Sequence, residues 1–207
     1  MRRLMFAAIL ALVLNPVAAL AKTEMAVFAG GCFWCVEKDM DHLKGVVATI
    51  SGYAGGTSEN PTYRSHEGSV EAVQVEFDPA IIPYDVLVAR FLRTIDVTDA
   101  GGQFCDRGDS YTTAIFTTTP EQNALAQKAV KDAKAQLGRK IVTPVKVSSA
   151  FTPAEDYHQN YYLGQKRILT RFGYIKQADA YARYRKSCGR DEQVRKVWGD
   201  AAYGAGS

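Results

Sequence analysis

Apolar and polar positions along this chain follow two periods, and together they predict interleaved strands and helices. Met25-Ala26-Val27-Phe28-Ala29 is an apolar run of strand length that stops at Gly30-Gly31, and Cys32 to Glu37 then reads as the start of a helix. Gly45 to Ser51 reads as a second strand, ending at Gly52-Tyr53. Gly55 to Pro61 is turn chemistry throughout, which places Tyr63 on a loop. A third strand runs from Glu71 to Phe77, with Glu71, Val73, Val75 and Phe77 on one face and Ala72, Gln74 and Glu76 on the other. Pro83 opens a helix whose stripe of Leu87, Phe91 and Ile95 is widened by Val86 and Val88. A long loop follows, Asp99 to Ser110, and long ordered loops tend to be functional.

Tyr111 to Thr118 is β-rich. Thr119 then caps a helix, with Pro120 at its first position, Gln122 closing a capping box, and Gly138 ending it. Leu125, Ala129, Ala133 and Leu137 form its expected buried stripe. Val145 to Ser149 is the last strand, and Glu155 to Lys166 is expected to be helical. The order of elements predicts an α+β chain: a single two-layer domain, helices packed on a mixed β-sheet. Past Phe172 the sequence is polar and rich in Tyr and Arg, which predicts an irregular C-terminal tail over 173–207 carrying Cys188.

Residues 1–21 stand outside this pattern. Arg2 and Arg3 precede an unbroken apolar run of eleven, Leu4 to Leu14; Asn15-Pro16 breaks it, and Ala19-Leu20-Ala21 is a small-x-small cleavage site. Spanning a bilayer takes about twenty residues, so a cleaved export signal fits better than an uncleaved anchor. The expected protein is exported to the periplasm or another extracytoplasmic space, cleaved after Ala21, with a catalytic domain over 22–172. Without Arg2 and Arg3 the 25 basic residues become 23 against 22 acidic ones, a net charge of +1. That balance gives no broad attraction to nucleic acid or to a membrane surface, and a monomer is expected.

Four cysteines remain, Cys32, Cys35, Cys105 and Cys188. In an exported chain they suggest two disulfides, although a domain of this size does not need them. One C-x-x-C without a second close pair is an incomplete zinc site, so no metal and no cofactor are expected. Cys32 is different in kind. It sits where a strand hands over to a helix, among unpaired N–H groups and at the positive end of the dipole, which should pull its thiol below about 8.5. The adjacent glycines permit close approach of another molecule, and Phe33 and Trp34 place two rings beside the sulfur. Glu71, on the apolar face of its strand, should be partly desolvated and so hold a proton near neutrality. The three histidines, His42, His66 and His158, form no ligand cluster; His42 is expected to be solvated and His158 to be a structural hydrogen-bonder.

Gly30-Gly31-Cys32-Phe33-Trp34 with Val36-Glu37 resembles the nucleophile motif of the A-type peptide methionine sulfoxide reductases. The resemblance continues through Gly52-Tyr53-Ala54-Gly55-Gly56, Asn60-Pro61-Thr62-Tyr63, Gly68-Ser69-Val70-Glu71, Asp106-Arg107-Gly108 with Tyr111, and Ala154 to Gln159. In order, these cover about Ala26 to Tyr162. The chain departs from the family pattern at Cys35, often glycine, at Ser69, usually histidine, and at Cys105 and Ser110, often Asn and Gln; the stretch from Tyr63 to Glu71 is also shorter.

The resemblance implies a ferredoxin-like α/β roll that reduces the S epimer of methionine sulfoxide, free or in oxidised proteins. Cys32 would be the nucleophile and Glu71 the acid, with Tyr63 and Tyr111 donating to the sulfoxide oxygen. Phe33 and Trp34 would enclose the S-methyl group, and Asp106 would orient its neighbours. Attack leaves a sulfenic acid on Cys32, which a second thiol closes to a disulfide for a thioredoxin-like donor to reduce. Access favours Cys188 in a mobile tail as that resolving thiol, with Cys35 the alternative and Cys105 inert or spare. Two other readings compete: an exported thioredoxin-like disulfide oxidoreductase using Cys32-x-x-Cys35, and a non-catalytic exported module held by disulfides or zinc. Thiol titration separates the module from either enzyme.

Overall fold

The computed structural model describes residues 22–147 and 150–204, so the predicted leader, 1–21, lies outside the described residues. Among the described residues ten strands and five α-helices follow in chain order. They are β1 (Glu24–Gly30), α1 (Phe33–Asp41), β2 (Val46–Ala54), β3 (Val70–Phe77), α2 (Tyr84–Leu92), β4 (Gly102–Gln103), β5 (Asp106–Arg107), β6 (Thr113–Thr117), α3 (Pro120–Leu137), β7 (Val145–Val147), β8 (Phe151–Pro153), β9 (Arg167–Thr170), β10 (Gly173–Lys176), α4 (Gln177–Ser187) and α5 (Arg190–Trp198).

Six strands form a mixed sheet ordered β7-β6-β1-β3-β2-β8, in which β6 and β7 run parallel and the other neighbours antiparallel. The strand alternation read from the sequence decides which face is covered. Phe28, Val73, Val75, Phe77 and Ile115 point into the main core, where they meet Phe33 and Val36 of α1, Leu87 and Phe91 of α2, Ala126 and Ala133 of α3, and Val194 and Trp198 of α5. Phe28 and Phe91 stack at 4.6 Å, pinning α2 to the centre of β1. The predicted cap of α3 is present: Thr119 Oγ1 accepts from the N–H of Gln122, and Gly138 closes the helix at φ +61°.

Two expectations are corrected. The tail is not irregular: α4 and α5 occupy most of it, and α5 packs into the main core. These helices carry few apolar residues, so their periodicity is faint; Tyr181, Val194, Trp198 and a buried Arg190 anchor them instead. Trp198 also donates to the carbonyl of Ile95 at 3.0 Å. The segment 155–166 holds two short 3-10 turns, Asp156–His158 and Tyr161–Leu163, rather than a helix. Its polar groups are committed elsewhere: Gln159 bonds Ser51 N, Ser51 O and Ala154 O, and Asn160 N donates to Glu37 Oε1 at 3.1 Å. Among the described residues no helix is long and apolar enough to cross a membrane.

Candidate active site

Cys32 is the N-cap of α1, at φ −49° and ψ 119°, and its carbonyl accepts from the N–H groups of Cys35 and Val36. The approach needs both glycines. A Cβ on Gly30 would lie 2.9 Å from Ile95 and Val36, and Gly31, at φ +79°, would meet Gln103 at 2.6 Å. Gln103 is buried and ties the loop down through Asp96 N and Asp96 O, both at 2.9 Å. The first free N–H of the helix, that of Phe33, is taken by Glu71 Oε2 at 2.9 Å. Nucleophile and carboxyl are therefore held to the same turn of α1.

Glu71 is only 1% exposed. Burial pushes its carboxyl up to about 8, against the Phe33 hydrogen bond that favours ionisation, so it holds a proton at neutrality as expected from its strand face. Cys32 reverses its expectation. Burial and the neighbouring Cys35 push its thiol up, Glu71 adds to this, and only a hydrogen bond with Tyr184 opposes them. Cys35 goes the other way, its thiol brought down to about 7; burial resists, but the hydrogen bond from Cys32 and the charges of Arg190 and Arg185 outweigh it. Both sulfurs are buried and free.

Cys32, Phe33, Trp34, Tyr63, Glu71, Asp106, Tyr111 and Tyr184 surround a cavity of about 50 Å³, which admits only the tip of a side chain. A larger one of about 400 Å³, between α2, α3 and Trp198, is lined by no cysteine. Despite the shortened loop, Tyr63 arrives at the site, its N–H held by Glu155 Oε1 at 3.1 Å while Glu155 Oε2 accepts from Tyr53 at 3.0 Å. Tyr63 and Tyr111 are hydrogen-bonded to each other, and burial with the nearby Glu71 pushes both phenols up, Tyr63 to about 12. They stay protonated and can donate. Phe33 and Trp34 lie 6.2 Å apart, and Trp34 stacks on Tyr161 at 3.8 Å.

His158 is not the hydrogen-bonder expected of it. It lies among the rings of Phe33, Tyr63 and Tyr157 with neither ring nitrogen partnered among the described residues, and burial lowers it to about 4, so it packs as a neutral ring. His42 is exposed at the end of α1, as expected.

Sequence reasoning missed Tyr184. It reaches back from α4 to donate a very short hydrogen bond to Asp106 Oδ2, and its ring meets Trp34 edge-on at 6.3 Å. No motif announces it; a tyrosine at helical spacing from Tyr181 was the one available sign. The cysteines also pair differently from the expectation. Cys105 is neither inert nor spare: it forms a disulfide with Cys188 across 83 residues, Cα–Cα 5.0 Å, tying the Asp106 hairpin to the end of α4. Cys188 is thus a fastened helix cap rather than a swinging arm. Among the described residues one set of three possible metal ligands comes together within 4.8 Å, Cys105, Asp106 and Cys188, and the disulfide occupies two of them.

A buried thiol beside a protonated carboxyl, two phenols and an aromatic wall suits attack on a group whose oxygen must be protonated as it leaves. The family model described as PMSR, peptide methionine sulfoxide reductase, matches residues 24–201. The chain belongs to the peptide methionine sulfoxide reductase family. The peptide methionine sulfoxide reductase MsrA 2 of Rhizobium meliloti (strain 1021) is 49% identical over 206 residues, spanning 98% of each chain. Among solved structures, methionine sulfoxide reductase A of Corynebacterium diphtheriae has a TM-score of 0.65 at 30% identity, covering 79% of this chain and 88% of its own. Reduced Mxr1 of Saccharomyces cerevisiae has a TM-score of 0.64 at 26% identity, covering 78% and 94%. The fold is therefore the expected α/β roll of this reductase family, and the reaction is reduction of methionine sulfoxide to methionine.

Proposed function

We propose that this reductase acts on the S epimer of methionine sulfoxide, free or in proteins, with Cys32 as nucleophile and Cys35 as the thiol that resolves it. Each sulfoxide epimer has its own reductase, and the relatives are MsrA proteins. The observation that carries the choice of resolving thiol is the pairing: Cys35 is free and hydrogen-bonded to Cys32, while Cys188 is bonded to Cys105.

The protons balance along this path. As Cys32 attacks, its proton passes to the Cys35 thiolate, and Glu71 delivers its own to the sulfoxide oxygen. Methionine leaves and Cys32 is left as a sulfenic acid. Cys35 then attacks that sulfur; an S–S bond forms, the S–O bond breaks, and the oxygen departs as water with the Cys35 proton. Tyr63 and Tyr111 donate to the oxygen throughout, while Phe33 and Trp34 enclose the methyl group. Asp106, held by Tyr184, orients the far wall.

A thioredoxin-type donor reduces the resulting disulfide; the yeast relative Mxr1 has been solved in complex with Trx2. The arginine pair, apolar run and cleavage site of residues 1–21 support an exported, periplasmic enzyme, and N-terminal sequencing of exported protein tests it.

Peptide mapping after one turnover tests the chemistry. The expected products are one methionine per enzyme from the S epimer and a Cys32–Cys35 linked peptide. Cys32→Ser should release no methionine. A dominant Cys32–Cys188 peptide would transfer the resolving role to Cys188.

A further inference from the structure

Next to the reacting cavity lies a second one of about 140 Å³, and Trp34 and Tyr184 line both. Ala180 and Tyr181 of α4 add to its walls, as do Phe172 and the exposed Arg171 from the turn between β9 and β10. The lining is mostly aromatic. Tyr181 is buried, whereas Phe172 and Tyr184 are half-buried and so can be reached from solvent. Apolar cavities of roughly 150 Å³ hold a benzene ring, so this one has room for one aromatic or large aliphatic side chain. The reaction itself makes no use of it.

Charge around this cavity is one-sided. Across 166–187, Lys166, Arg167, Arg171, Lys176, Arg183 and Lys186 are exposed, against a single acid, Asp179. Arg171 Nη2 donates to Ser187 Oγ at 3.2 Å, and Arg183 Nη1 to the carbonyl of Phe172 at 3.4 Å. Among the described residues neither guanidinium has an ion pair. A surface of this sign favours acidic partners.

The reacting cavity, at about 50 Å³, takes only the tip of the oxidised side chain. The main chain of a peptide substrate therefore stays outside, and the side chains beside the sulfoxide fall onto the surface around the mouth. Across the Trp34–Tyr184 wall that surface is the second cavity. Resting on the reading that this enzyme reduces methionine sulfoxide in proteins, we propose that the second cavity is a subsite for the polypeptide around the oxidised residue. It takes an aromatic or large aliphatic side chain flanking the sulfoxide, in an unfolded segment whose acidic residues meet Arg171 and the cations near it. The segment must be unfolded, because its backbone has to lie across the wall while two of its side chains enter separate cavities.

The test reads kcat/KM with dithiothreitol as reductant, so that no donor protein competes for this face. The substrates are S-sulfoxide pentapeptides of glycine and serine with the oxidised methionine at the centre and one phenylalanine placed at each flanking position in turn. The wild type should gain about tenfold, through KM, from phenylalanine at one of these positions. Ala180→Leu, which fills the cavity from α4, should lose that gain while reducing the free S epimer at the wild-type rate. An added aspartate should give about threefold more at low salt, an advantage that added salt screens and Arg171→Glu abolishes. Equal kcat/KM for every phenylalanine position overturns the proposal, and so does a gain that survives in folded Ala180→Leu. If that variant does not fold, an aspartate preference unmoved in Arg171→Glu overturns it. A wild type that reduces neither the free S epimer nor the peptides overturns the substrate reading itself, and this proposal with it.

Discussion

At Glu71, burial and a hydrogen bond act in opposite directions, and burial wins: the carboxyl keeps its proton up to about pH 8 although Phe33 N–H favours the anion. Two consequences follow with definite sign. Release of the first methionine should fall as pH rises through about 8, and Glu71→Gln should slow that step by roughly 10²–10³-fold and remove the high-pH limb. Because the folded-state value lies above the unfolded one, the wild type should also lose stability as pH rises from about 4.5 to 8, a loss Glu71→Gln should not show. Rapid-quench release and thermal melts across pH check these, and a pH-independent wild-type rate would remove Glu71 from the acid role. Glu71 was legible because strand alternation puts it on the apolar face. The ionisation of Cys32 was not: the helix terminus is visible in sequence, whereas the burial and the Cys35 partner that outweigh it are tertiary.

Element by element, legibility tracked how much of each helix's anchoring is apolar. The Leu87 and Phe91 stripe of α2 and the caps of α3 at Thr119 and Gly138 could be read directly, since they act through short-range rules, whereas of the expected α3 stripe only Ala133 is fully buried. α4 and α5 could not be read so, because Arg185, Arg190 and Trp198 anchor them through polar groups whose partners are distant in sequence. α4 is nevertheless part of the site, since Tyr184 comes from it. Trp198→Phe tests how firmly α5 is clamped. It keeps a ring in the core but leaves the buried carbonyl of Ile95 without its donor, which should cost about 1–3 kcal/mol in urea unfolding with an unchanged slope. A loss below about 0.5 kcal/mol would mean that α5 is held by packing alone.

For the molecule as a whole, the Cys105–Cys188 bond fastens the C-terminal helices to the loop that supplies Asp106. It closes a span of 83 residues, for which chain entropy alone gives about 4.5 kcal/mol of stabilisation in the oxidised state. Its position on the exposed rim sets it apart from the buried Cys32–Cys35 pair, so the two can be separated by experiment. The double variant Cys105→Ser/Cys188→Ser should melt several degrees below the oxidised wild type and level with the wild type reduced at the rim. Turnover with dithiothreitol should persist, because Cys32, Glu71 and Cys35 are intact. First-methionine release should drop modestly as the Asp106–Tyr184 contact loosens. A different result would reassign the bond: if the double variant matched the oxidised wild type in stability yet released one methionine and stopped, Cys105 and Cys188 would belong to the recycling path rather than to the scaffold. These four cysteines were all visible in the sequence. Which of them pair was not, because pairing is decided by where α4 comes to rest.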